Sequence, residues 1–130
     1  MKRRLSALFA VLMALSLLFG ISASANPAVV SYGNSYSQTL TTGGYVYILP
    51  NAKTSGTSIH IAASSANTLR LHYYWSINNT SIDLGTAVVN STNYNGGSGY
   101  YSAGTLVTVV ERIPETIAAY PSVSYTISFN

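Results

Sequence analysis

Beyond the first 25 residues, five side chains have the types needed for ordinary acid–base work: Asp83, Glu111, Glu115, His60 and His72. A glycosidase needs two carboxylates across a scissile bond. Glu111 and Glu115 lie four apart, at the end of an apolar strand and into a loop, where their simpler role is to keep that strand soluble. A Ser-His-Asp set is defined by geometry rather than by spacing, but the chain carries no G-x-S-x-G elbow. Cysteine is absent, which excludes a disulfide framework, thiolate metal sites and a cysteine nucleophile. Gly96-Gly97-Ser98-Gly99 lacks the spacing, the following helix and the terminal Lys-Ser/Thr of a phosphate loop, so it reads as a loop tip. The expectation is a protein that is not an enzyme and uses no cofactor.

Two constellations could still bind something. Imidazole is a common ligand of Zn²⁺ and Cu²⁺, so His60 and His72 form a candidate metal pair, with Asp83 as the nearby carboxylate. The simpler alternative is a solvated polar face shared with Arg70 and Tyr74. Tyrosine is the other resource. Tyr94, Tyr100 and Tyr101 lie in or beside a long Asn/Gly/Ser-rich stretch, and Tyr120 lies on a second long connection. A ring with one apolar face and a hydroxyl suits sugars and peptides at low entropic cost. Alternation would bury one of Tyr100 and Tyr101, leaving at most one of that pair free to bind.

The elements that position these residues begin after an address label. Lys2, Arg3 and Arg4 precede Leu5–Phe19, which is apolar apart from two serines, and Ser22-Ala23-Ser24-Ala25 places small residues where a signal peptidase reads. A basic start, an apolar core of roughly 7–15 residues and a small-residue end make a secretory signal peptide. Residues 1–25 are therefore expected to be removed, leaving 26–130 as one secreted domain with no membrane anchor. Its charges balance: Lys53, Arg70 and Arg112 against Asp83, Glu111 and Glu115. The formal charge of +3 on the whole chain belongs to the label, and the main argument for nucleic-acid binding goes with it, because phosphate contacts need clustered Lys and Arg.

Within 26–130 there are 15 Ser, 13 Thr and 10 Asn, and no window holds a helical period. Period-2 alternation recurs instead, as half-buried strands require. It is plainest at the end, where Val123, Tyr125, Ile127 and Phe129 alternate with Ser122, Ser124, Thr126 and Ser128. Ser35–Leu40, Ile59–Ala63, Leu69–Trp75 and Ile82–Val89 also read as strands, with Trp75 on the core side. Tyr45–Leu49 and Leu106–Val110 are apolar almost throughout, as central or doubly covered strands are. Thr42-Gly43-Gly44 and Asn78-Asn79 are turns. Asn90–Gly104 and Ile113–Pro121 read as long connections. The class is all-β: an antiparallel β-sandwich or jelly roll of about seven to eight strands. If Ser64–Thr68 is a hairpin loop, the register that keeps every apolar side chain on one face sets His60 directly opposite His72.

Tyr36-Ser37-Gln38-Thr39-Leu40 with Gly44-Tyr45-Val46, then Tyr101–Thr105, then Tyr125–Phe129, resembles the strand signature of jelly-roll accessory modules, bacterial pre-peptidase C-terminal domains among them. That family's acidic middle stretch is missing here. Three functions follow from these readings. The first is a non-catalytic module binding carbohydrate or another envelope or extracellular component through Tyr-bearing loops. The second is a self-associating extracellular structural protein, with strands such as Leu106–Val110 pairing at their edges. The third is a small metal-binding protein using His60 and His72.

Overall fold

The computed structural model of the chain describes residues 27–98 and 103–130. Among the described residues nine strands run in chain order: β1 (Ala28–Val29), β2 (Ser35–Leu40), β3 (Gly44–Ala52), β4 (Thr57–Ala63), β5 (Leu69–Ile77), β6 (Thr80–Val88), β7 (Asn93–Ser98), β8 (Gly104–Arg112) and β9 (Val123–Phe129). They form a five-stranded sheet, order β1-β3-β8-β5-β6, and a four-stranded sheet, order β2-β9-β4-β7. All pairs are antiparallel except the short β1–β3 contact. The expected β-sandwich is present. No described helix is long and apolar enough to cross a membrane.

Alternation builds the core between the sheets. Ile59, Ile61, Val123, Tyr125, Ile127 and Phe129 point inward from one layer, and Tyr47, Leu49, Leu69, Leu71, Trp75, Leu106 and Val110 from the other. Trp75 is fully buried, on the core side as its alternation predicts. Tyr45–Leu49 and Leu106–Val110 fall in β3 and β8, and β8 is the middle strand of its sheet. That position removes Leu106–Val110 as an edge. Val46, Ile48, Tyr74, Val107 and Val109 form a second buried cluster on the outward side of the same sheet. Asn78 and Asn79, both at positive φ, make the two-residue β5–β6 hairpin, the backbone that a type I′ turn requires.

Two strands lie where none was expected. β1 is only two residues long. β7 falls inside the stretch read as the long Asn90–Gly104 loop, and it forms because β4 offers it six consecutive partners, from Thr57↔Ser98 to Ala62↔Asn93.

The expected β4–β5 hairpin does not form. β4 belongs to the four-stranded sheet and β5 to the five-stranded one, so Ser64–Thr68 arches across the core. Its own hydrogen bonds go to both layers: Ser64 N–H donates to the Ser124 carbonyl of β9, and Ile113 N–H, just after β8, donates to the Thr68 carbonyl. Asn67 takes φ 60° at the bend. Period-2 alternation is satisfied equally by strands side by side and by strands facing each other across a core.

Candidate binding face

The arch decides the fate of the histidines. His60 stands on the outer side of β4, opposite Asn95 of β7 and Ser128 of β9. His72 stands on the outer side of β5, opposite Thr86 of β6 and Val109 of β8. The two rings are thus on opposite sides of the sandwich and cannot share an ion, which overturns the expected His60–His72 juxtaposition. Among the described residues no group of three or more His, Asp or Glu gathers.

His72 has other company. Its Nε2 lies 2.9 Å from both oxygens of Asp83, and its Nδ1 lies 2.8 Å from the Tyr74 hydroxyl. The Asp83 carboxylate also accepts the Gly85 N–H at 2.7 Å. These donors, the Gly85 amide foremost and His72 next, hold its pKa below the ordinary carboxylate value. Burial pushes the Tyr74 phenol up, with the Asp83 and Glu111 charges adding to it. Nearby, Arg70 Nε donates to Glu111 at 2.9 Å.

The tyrosines disperse. Tyr94 lies on β7 rather than in a loop, and its half-buried ring packs against the core. The ring folds over Gly96, where a Cβ would sit 2.5 Å from the Tyr94 hydroxyl. Tyr120 is 46% exposed, past the other edge of that sheet, where Arg112 ties the Tyr120 carbonyl to those of Leu40 and Thr41. Strands β9 and β4 separate β2 from β7, so Tyr94 and Tyr120 do not converge. Tyr100 and Tyr101 lie outside the described residues.

What the fold does assemble is a face. The strands of the four-stranded sheet contain no Asp, Glu, Lys or Arg; all six charges beyond residue 25 lie on β5, β6, β8 and connections. Its outer surface carries Ser35, Ser37 and Thr39 from β2, Ser124, Thr126 and Ser128 from β9, Ser58, His60 and Ala62 from β4, and Asn93 and Asn95 from β7. The hydroxyls are ordered in cross-strand pairs: Ser37 Oγ lies 2.8 Å from Thr126 Oγ1, and Thr39 Oγ1 lies 2.9 Å from Ser124 Oγ. In each pair one oxygen donates and the other accepts, leaving further donor and acceptor capacity toward solvent. A shallow open hollow lies over Ala62, bordered by Ser37, Thr39, Ser124 and Thr126.

Residue-by-residue reading missed this face because no single member has distinctive chemistry. The signal available was the wet side of the Val123–Phe129 alternation, matched by the Ser/Thr side of Ser35–Leu40. The pairing β2–β9 that joins the two is set by residues about ninety positions apart.

No protein-family model matches the sequence, and no curated protein matches it. Among solved structures the chain is similar to the pre-peptidase C-terminal domain of collagenase from Bacillus anthracis, with TM-score 0.52 and 11% identity over 81% of this chain and 95% of that one. It is also similar to PliG of Aeromonas hydrophila, a periplasmic lysozyme inhibitor of g-type lysozyme (TM-score 0.48, 10% identity, 81% and 100% covered). A third is the Yersinia pseudotuberculosis-derived mitogen (TM-score 0.48, 14% identity, 75% and 83% covered). At 11% identity the collagenase domain shares with this chain a fold, an all-β sandwich of two sheets.

Proposed function

We propose that this protein is an exported, non-catalytic binding module that holds a neutral, hydroxyl-rich polymer, a glycan of the envelope or extracellular matrix, on the outer face of its four-stranded sheet. The observation that carries the reading is the uncharged Ser/Thr/Asn surface around Ala62, with its hydroxyls already held in cross-strand pairs. Such groups can exchange hydrogen bonds with sugar hydroxyls at little cost in side-chain ordering. Export rests on the Lys2–Ala25 segment, and the sandwich is shared with the pre-peptidase C-terminal domain of a collagenase. The loop-tyrosine reading narrows among the described residues to Tyr120, exposed beside the β2–β3 turn.

A pelleting assay with insoluble cellulose, chitin and peptidoglycan tests the face directly. Ala62→Arg and Thr126→Arg are expected to lose retention on the polymer that holds the wild type, while Tyr120→Ala keeps most of it. Retention unchanged in both arginine variants would overturn the proposal. Loss confined to Tyr120→Ala would move the site to the loop.

A further inference from the structure

The edges of the same sheet carry an inference that goes beyond its face and does not depend on what the face binds. Edge strands expose unpaired N–H and C=O groups, and soluble proteins normally blunt them with lysine, proline, bulges or very short strands. The five-stranded sheet is blunted in this way at both ends. β1 is two residues long, and β3 beside it is broken between Leu49 and Ala52, where Pro50 and the left-handed Asn51 precede Lys53. At the other end β6 carries a bulge at its Tyr73/Tyr74 pairing, with Gly85 at φ 104° and the charge of Asp83.

The four-stranded sheet has none of these devices. Its edges, Ser35–Leu40 and Asn93–Ser98, contain no charge and no proline, and each pairs inward through six unbroken partners. Both are six residues long. Because β2–β9, β9–β4 and β4–β7 are all antiparallel, β2 and β7 run in opposite directions. A second copy shifted sideways without being turned over therefore brings its β2 antiparallel to the first copy's β7. Asn93 and Asn95 then come beside Ser35, Ser37 and Thr39, amides beside hydroxyls, with no like charges to oppose them.

Five strands also face only four. On β6, the other edge of the larger sheet, Ile82, Leu84 and Ala87 are only half-buried against the core.

We propose that copies of this protein associate side by side through β7 of one and β2 of the next, continuing the four-stranded sheet from copy to copy. The interface is heterologous, so it propagates rather than closing as a dimer.

Light scattering on the exported protein, in the absence of polysaccharide, across a micromolar-to-millimolar series tests this separately from glycan binding. The wild type is expected to grow past dimers. Asn93→Lys/Asn95→Lys blocks one edge and Ser35→Lys/Ser37→Lys the other, so each variant alone is expected to stay monomeric. Their equimolar mixture should stop at one-to-one dimers, because one compatible pair of edges remains. Val88→Lys, on the β6 edge, should associate like the wild type. Amide hydrogen exchange in the wild type gives a readout that needs no variant to fold: protection at β2 and β7 should rise with concentration while β6 stays unchanged. A wild type that is monomeric throughout, a β7 variant that still associates with itself, or exchange at β2 and β7 insensitive to concentration would each overturn the proposal.

Discussion

Tyr47 and Tyr125 meet in the middle of the sandwich, their hydroxyl oxygens 2.6 Å apart and both rings almost fully buried. A buried hydroxyl without a partner costs about 1–3 kcal/mol, whereas removing both members of a pair is close to neutral. Tyr125→Phe is therefore expected to destabilise the fold by about 1–3 kcal/mol, and adding Tyr47→Phe should restore much of that loss. Urea midpoints of the two single variants and the double variant make the cycle; a double variant as unstable as the sum of the singles would refute the pairing. The same scale explains Arg112, a guanidinium only 3% exposed. It satisfies the Leu40, Thr41 and Tyr120 carbonyls at once and so fastens the β2–β3 turn to the connection that leads into β9. Its partners are backbone atoms, which is why no carboxylate in the sequence points to it.

At the scale of elements, the β6 bulge does two things. It lets Asp83 reach both the Gly85 amide and His72, and it bends the edge away from the regular pairing that a neighbouring chain would need. Gly85 makes this possible, because φ 104° is a conformation that side chains rarely adopt. A Cβ there would meet nothing within 4 Å, so the cost of substitution is one of backbone alone. Gly85→Ala is expected to lower stability by about 1–3 kcal/mol, read as a shift in urea midpoint with an unchanged slope. No shift would mean that the bulge relaxes freely and guards nothing. Such a bulge has no signature in the local alternation of Ile82–Val89, because it depends on pairing with Tyr73 and Tyr74.

The whole molecule responds to pH through its phenols. Burial pushes Tyr47 up to about 12 and raises Tyr73, Tyr74 and Tyr125 as well. Above the ordinary tyrosine value of 10.0 the unfolded chain loses these protons first, while the folded chain keeps them. Stability that is intact below that value therefore falls as pH rises through the folded-state values. Asp83 works at the other end, with a contribution present above its ordinary value of 3.8 and lost as pH falls through its depressed one. Urea midpoints measured against pH should show a plateau with a steep alkaline decline. A plateau extending unbroken past pH 12 would contradict the burial of these rings.

Much of the inward-facing set was legible before any folding. Ile59, Ile61, Leu69, Leu71, Trp75, Tyr125 and Ile127 occupy the core positions that their alternation predicts, and the Tyr45–Leu49 and Leu106–Val110 runs mark strands inside a sheet. These are local properties: a strand shows every second side chain to the same face, whatever lies beside it. Partnership is not local. Whether β4 turns back beside β5 or arches over to the other layer depends on which backbone groups the ends of Ser64–Thr68 meet, and those are the Ser124 carbonyl of β9 and the Ile113 N–H just after β8. The arch separated His60 from His72, the β4–β7 pairing drew Tyr94 out of a loop and onto an edge, and the β2–β9 pairing gathered Ser37, Thr39, Ser124 and Thr126 from opposite ends of the chain into one face. Composition and alternation alone determined an all-β chain with a wet side and a dry side. Only the tertiary structure decided which wet residues became neighbours, because strand pairing is selected by hydrogen bonding and packing across the whole sandwich, to which period-2 patterning is blind.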